Sequence, residues 1–268
     1  MNVSIVIPVS NRAHLVGAAI DSALAQTTPC EVIVVDHGST DDIARVISRY
    51  GHRIRYIRRD TDTGPVACWL DGARHATGDY IHFTYDDDWI QPTFIERCIA
   101  EFRDDVAFVY TRATLHASDG KTSQLLRHPR GLRRVQDVVR YLLATPLTIS
   151  PGCALFRRED VLRHLLPEVP GACGPYGVGS GVGEDLLLLL LTTLRYPSYV
   201  HVPEFLADFL GHEASITTHA LQNGHSAEIS NAYSVAKCYY LEQPHAVRRP
   251  HGVSKLLFRV QWNLRRMW

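Results

Sequence analysis

No CxxC pair occurs among the six cysteines at 30, 68, 98, 153, 173 and 238, which argues against a structural zinc site. No GxGxxG follows the first apolar run, so a dinucleotide-binding dehydrogenase is disfavoured. The longest apolar run is the six leucines 186–191, far short of the roughly 20 residues a membrane span needs. The start, MNVSIVIPVSNR, has neither a basic n-region nor a long apolar h-region, so no signal peptide is expected. These absences predict a cytoplasmic protein with reduced thiols. An excess of charge is also missing. The 268 residues carry 28 Lys+Arg against 28 Asp+Glu, which argues against a protein held on nucleic-acid phosphates.

What is present is enough apolar material for a core, 46% of residues, at a length that suits one large α/β domain or two small ones. Strand and helix signals alternate through the first half. Residues 3–8, the continuous apolar run 31–36, and 53–59, 79–84 and 106–110 read as strands. Residues 11–26, the segment after 38–42 and 65–76 read as helices, and Pro92 sits at the start of another. This repetition implies a parallel sheet with helices on both faces, whose ligands bind beyond the carboxyl ends of the strands. Polar or acidic clusters fall at three such ends: Asn11-Arg12, Asp36 to Ser39, and Asp86 to Asp88.

Later residues are less regular. Residues 127–140 are basic and end in a helix, and 152–157 read as a strand. Residues 171–183, GACGPYGVGSGVG, read as a mobile loop, after which Glu184-Asp185 opens an apolar helix. Residues 199–201 and 205–209 read as returns to the sheet, and 253–268 as a basic amphipathic helix.

Three places carry chemistry. In Tyr85-Asp86-Asp87-Asp88-Trp89, adjacent carboxylates at a strand end repel one another unless a cation or donor groups compensate. A hard divalent cation bridging a diphosphate would do so, but a solvated turn with a helix N-cap fits a three-Asp turn equally well. Glu184-Asp185 can offer a general base, although acids favour helix N-termini through the macrodipole alone. Asp36 can accept from a ribose hydroxyl or a base N–H, or close an Asx turn.

In this order the segments resemble family 2 glycosyltransferases. The residues concerned are Ile7-Pro8, VVDHGSTD over 34–41, GPVACWLDGARHATGDYI over 64–81, YDDDWIQP over 85–92, Glu184-Asp185 and Gly211-His212-Glu213-Ala214-Ser215. The resemblance spans roughly 1–218 and is thin over 112–150. It implies the α/β GT-A fold: a Rossmann-like mixed, mostly parallel sheet with helices on both faces and a C-terminal helical tail. Residues 1–111 would form the nucleotide-sugar half, 112–218 the acceptor half, and 219–268 a helical extension.

The resemblance also implies an inverting transfer from a nucleotide-sugar donor, with UDP ahead of dTDP and GDP, to a hydroxyl-bearing acceptor, with Mn²⁺ or Mg²⁺ as cofactor. Asp185, with Glu184, would supply the base. Pro8, Ser10, Arg12, Asp36, Gly64, Asp86 and Asp87 would line the donor site, and Asp87, Asp88 and His212 would hold the metal. The chain departs from the family pattern at Tyr85, which stands where the first acid of the DxD motif is usual. It departs also at Trp69-Leu70, in place of an Arg-Asn pair, at His37 in place of an Asp, and at Leu210 in place of an Arg. A sugar-nucleotide pyrophosphorylase shares a similar core but carries a glycine- and arginine-rich loop after the first strand, where this chain has Pro8-Val-Ser-Asn-Arg12. A glycosyltransferase-like binding module without catalysis is the other alternative.

The charge balance is uneven. Six of the 28 basic residues and no acid fall in 243–268, leaving 22 basic against 28 acidic residues elsewhere. The tail can rest on an anionic membrane surface, which would make the protein peripheral at the inner face of the membrane, form a homodimer contact, or dock on its own domain.

Overall fold

A computed structural model describes residues 1–126, 131–145, 149–172, 174–177, 179–212, 215, 218–219 and 222–246. The basic tail expected to be a helix over 253–268 lies outside the described residues, as do Cys173, Glu213 and Ala214.

The chain alternates β1 (Val3–Val9), α1 (Val16–Leu24), β2 (Glu31–Asp36), α2 (Ile43–Ser48), β3 (Arg55–Arg58), α3 (Pro65–His75) and β4 (Tyr80–Phe83). The four strands lie side by side in the order β3-β2-β1-β4, all parallel. Every residue of β1 is buried, because helices cover both faces of the sheet. On α1, Val16, Ala19, Ile20 and Ala23 repeat at helical spacing and form its buried stripe. α3 opens on Pro65, whose missing N–H costs nothing at the first helical position. It then lies so close to β1 that a Cβ on Gly72 would stand 2.2 Å from Val6 Cγ1.

Beyond β4 come β5 (Trp89–Ile90), α4 (Phe94–Ala100), β6 (Val106–Ala117), β7 (Thr122–Leu125), β8 (Gly131–Arg134), α5 (Val135–Ala144), β9 (Ala154–Arg157), α6 (Arg158–His164), α7 (Glu184–Thr192), β10 (Ser198–Gly211) and α8 (Ser226–Glu242). The sheet continues β4-β9-β6-β10-β5, with β7 on β6 and β8 on β10.

The parallel sheet expected from the strand–helix repetition therefore holds for the first four strands, and a mixed sheet follows. β9 runs antiparallel to both β4 and β6. It is reached through β7, β8 and α5 rather than by a single helical crossover, so nothing obliges it to be parallel. The two pieces expected at 199–201 and 205–209 are one strand, β10, parallel to β6. Its register shifts between Val202 and Phe205, around Pro203, which cannot donate to the ladder. α7 is buried on all sides, lying between α8 and α6 and touching β6, which is why its six leucines need no polar face. No helix among the described residues is long and apolar enough to cross a membrane.

Candidate active site

The carboxyl ends of β1, β2 and β4 meet along one rim of the sheet, and the loops leaving them are tied together. Asn11 follows β1 at φ +51, a left-handed conformation that Asn tolerates better than most residues. Its side-chain oxygen accepts from the Thr40 backbone N–H at 2.8 Å, and its own N–H donates to Ser39 Oγ at 2.9 Å. At the end of β2, Asp36 is completely buried. One carboxylate oxygen accepts from the Ser39 N–H at 2.8 Å, and the other from the Tyr56 hydroxyl and from Arg58 Nη1 at 2.8 Å. Burial pushes Asp36 upward, but the bonds from Ser39 and Tyr56 and the Arg58 charge outweigh it and hold the group below the usual carboxylate range.

The acidic turn after β4 closes with Asp88 N–H donating to the Tyr85 carbonyl at 3.2 Å. Arg12 Nη1 lies between two of its acids, 2.9 Å from Asp86 Oδ1 and 2.5 Å from Asp87 Oδ2. His212 Nε2 approaches the same Asp87 oxygen at 2.8 Å, and the Ser10 N–H points at Asp86 Oδ2 at 3.4 Å. Asp88 faces another way and accepts from the Leu210 N–H at 2.9 Å. That bond pins the end of β10 two residues before His212, so Asp88 helps to set where the imidazole stands. Burial raises Asp86 to about 6, with the Arg12 charge pulling it down and Asp87 pushing it up. Burial, then the Asp87 charge, drives Asp88 well above its ordinary value.

The second pair of acids opens α7. Gly183 precedes them at φ +99, within the left-handed region that favours glycine. Asp185 Oδ1 accepts from the Gly183 N–H at 3.0 Å and from the Leu186 N–H at 2.6 Å, while Oδ2 lies 3.3 Å from the Tyr233 hydroxyl of α8. Burial raises Asp185 to about 6 against these bonds, the largest being those from Leu186 and Gly183. Glu184 is fully buried and binds the Gly179 N–H at 2.9 Å through one oxygen, while the other has no partner among the described residues. Burial lifts it to about 7. The phenol of Tyr85 is held well above its ordinary value, first by burial and then by the negative charge of Asp185, so the two acidic segments are within electrostatic reach of each other.

Of the residues singled out in the sequence, Ser10, Arg12, Asp86, Asp87 and His212 form one knot, and Asp185 and Glu184 form a second site beside Tyr85. Pro8 is buried in β1, opposite Val35 of β2. Gly64, at φ +85, caps α3 against the 171–183 loop, where a Cβ on it would sit 2.6 Å from the Gly179 carbonyl oxygen. Asp36 belongs to a separate cluster with Tyr56 and Arg58. For a metal, the candidate ligands are Asp87 and His212, a carboxylate and an imidazole that touch each other at 2.8 Å and keep some exposure, 12% and 21%. A hard divalent cation takes few protein ligands of this kind and completes its shell with phosphate oxygens and water. No cluster of three or more His, Cys, Asp or Glu in ligand geometry occurs among the described residues.

The model of the family described as glycosyl transferase family 2 matches residues 4–165, more than half of the chain. The chain belongs to that family. Among curated relatives, the glycosyltransferase GlyA of Streptococcus pneumoniae is 32% identical over 112 residues, covering 39% of this chain and 16% of that protein. The chondroitin synthase of Escherichia coli is 37% identical over 115 residues, 41% of this chain and 17% of the relative. The match thus spans less than a fifth of the length of either. Among solved structures, residues 1–349 of S. aureus TarS in complex with UDP-GlcNAc superpose with a TM-score of 0.64 at 17% identity, covering 98% of this chain and 78% of that one. The fold is the GT-A fold that the sequence resemblance implied.

Within this family-2 domain, two departures from the family's sequence pattern meet. The Trp69 ring, in α3, and the Tyr85 ring lie 5.7 Å apart, and Trp69 also packs, tilted by 37°, against Phe83 at 5.7 Å. Where the pattern has an acid in one segment and an Arg-Asn pair in the other, this chain has an aromatic contact. Trp69 is only 4% exposed, so its ring forms core next to the acidic turn. The 171–183 loop presses on this patch, since a Cβ on Gly181 would meet the Trp69 ring at 3.2 Å.

The sequence did not single out Tyr56, Arg58 or Tyr233. Arg58 was recoverable in principle, being a cation at the end of a strand beside the strand that ends in Asp36. Tyr233 carries no local signal.

Proposed function

We propose that this chain is an inverting glycosyltransferase that moves a sugar from a nucleoside-diphosphate donor, with UDP the first choice, to a hydroxyl-bearing acceptor. One observation carries the reading: Arg12, Asp86, Asp87 and His212 are knotted at the carboxyl ends of β1 and β4, beside a separate buried carboxylate, Asp185, raised to about 6. The UDP and UDP-GlcNAc complexes of TarS, which has the same fold, support a uridine donor.

In this reading Asp87 and His212 hold Mn²⁺ or Mg²⁺, with Asp86 beside them and Asp88 fixing His212 through β10. When bound, the cation supplies the positive charge that stabilises a departing diphosphate. Arg12 supplies a further cation at the same place and keeps the adjacent acids from repelling each other. Asp36 organises the nucleoside side by holding Tyr56 and Arg58, and Pro8, Ser10 and Gly64 supply its walls. Asp185 takes the acceptor proton. A carboxylate with a pKa near 6 is charged at pH 7.5 yet more basic than an ordinary Asp, which suits a general base. The two backbone N–H groups fix Oδ1, so the proton goes to Oδ2. Glu184 holds the glycine-rich loop through Gly179. Residues 1–111 would then carry the donor and 112–218 the base and the acceptor side.

Incubation with UDP-, dTDP- and GDP-sugars and Mn²⁺, reading released nucleoside diphosphate, tests the proposal. Release is expected from at least one donor and is expected to stop with a chelator. Tight nucleotide binding with no release from any donor, in the presence of an acceptor panel, would reduce the chain to a binding module.

A further inference from the structure

We infer that Tyr233 is a positioning residue for the Asp185 carboxylate, so that α8, beyond the matched family segment, is part of the catalytic apparatus. The inference rests on the reading of Asp185 as the base. Its geometric ground is threefold.

First, the Tyr233 hydroxyl lies 3.3 Å from Asp185 Oδ2, the oxygen that the backbone N–H groups of Gly183 and Leu186 leave unclaimed. A hydroxyl donating there holds the carboxyl plane in one orientation and favours the charged form, as a third group orients the base in other catalytic constellations. Second, the contact is built in rather than incidental. α8 packs directly on α7, and Gly183 lies so close that a Cβ on it would stand 3.0 Å from the Ala232 carbonyl oxygen. Third, Ala232 closes a small apolar cluster with Tyr176 and Val182 of the glycine-rich loop, against which Ile229 and Tyr233 pack. The helix that orients the base therefore also holds the loop that leads to it. Among the described residues, the ionisable groups that feel the Asp185 charge include Tyr85, from the turn after β4, and Glu184 on its own helix.

Tyr233→Phe keeps the ring and its packing and removes only the hydroxyl. In the 268-residue chain, turnover of the accepted donor is expected to fall roughly tenfold in kcat with donor KM unchanged. The acid limb of the kcat–pH profile is expected to move up by about half to one pH unit, because the carboxylate loses a donor to its charged form. Tyr233→Leu, which also loses packing, is expected to show the same limb shift. A Tyr233→Phe variant with wild-type kcat and an unmoved acid limb would overturn the inference. So would a loss confined to donor KM, which would make Tyr233 a packing residue. Asp185→Asn, run alongside, separates the premise from the inference: if it turns over normally, the assignment of the base fails. If it is slow while Tyr233→Phe is normal, only the role of Tyr233 fails.

Discussion

Glu184 is buried, ionisable and half-satisfied, and its stability contribution depends on pH. Burial raises its pKa in the fold to about 7, above the usual carboxylate range. A carboxyl whose folded pKa is raised contributes stability that is complete below its unfolded pKa and is lost as pH climbs through 7. Glu184→Gln keeps the acceptor for the Gly179 N–H and removes the charge, so its melting temperature is expected to exceed wild type at pH 8 by about 3 °C and to converge with it near pH 5. Differential scanning fluorimetry at the two pH values checks this. Asp185, raised to about 6 and proposed as the base, sets the complementary expectation for rate: kcat is expected to fall below pH 6 as its carboxylate is protonated, and Asp185→Asn to lose at least about a hundredfold in kcat with little change in donor KM. Steady-state kinetics across pH 5–8 reads both. At this scale the motifs point to candidates where a residue type stands out in its own segment, as with Asp87, Asp185 and His212, whose roles belong to the proposal. They are silent on Tyr56 and Tyr233, whose relevance comes only from a strand and a helix that fold against them.

At the scale of elements, glycines control how the loop and helices approach the site. Gly183 combines φ +99 with a Cβ position 3.0 Å from the Ala232 carbonyl oxygen. Gly183→Ala is expected to cost about 1–3 kcal/mol, read as a lowered urea midpoint with an unchanged slope. The elements visible in the sequence are those with a local cause. β2 spans the apolar run Glu31–Asp36, and α3 starts at Pro65 because proline belongs at the first helical position. The missed elements lack one. β5 has two residues, and Thr122–Leu125 of β7 is largely exposed and exists through its pairing with β6. β10 reads as two pieces because Pro203 interrupts the pattern, whereas the pairing with β6 carries through it.

At the scale of the whole molecule, the even charge balance conceals an acidic remainder and a basic stretch over 243–268. Much of what the acids of the site do is hold one another's partners: Arg12 on Asp86 and Asp87, His212 on Asp87, Leu210 on Asp88. In the proposed function a divalent cation with a nucleoside diphosphate would bind against Asp87 and His212 of this arrangement. The most direct measurement is a calorimetric titration of UDP into the full chain with and without Mn²⁺, repeated on Asp87→Ala. The account predicts that UDP binds with Mn²⁺, that affinity falls more than about tenfold without it, and that Asp87→Ala loses the metal-dependent part. UDP, dTDP and GDP all failing to bind with Mn²⁺, or binding equally well to Asp87→Ala, would contradict it.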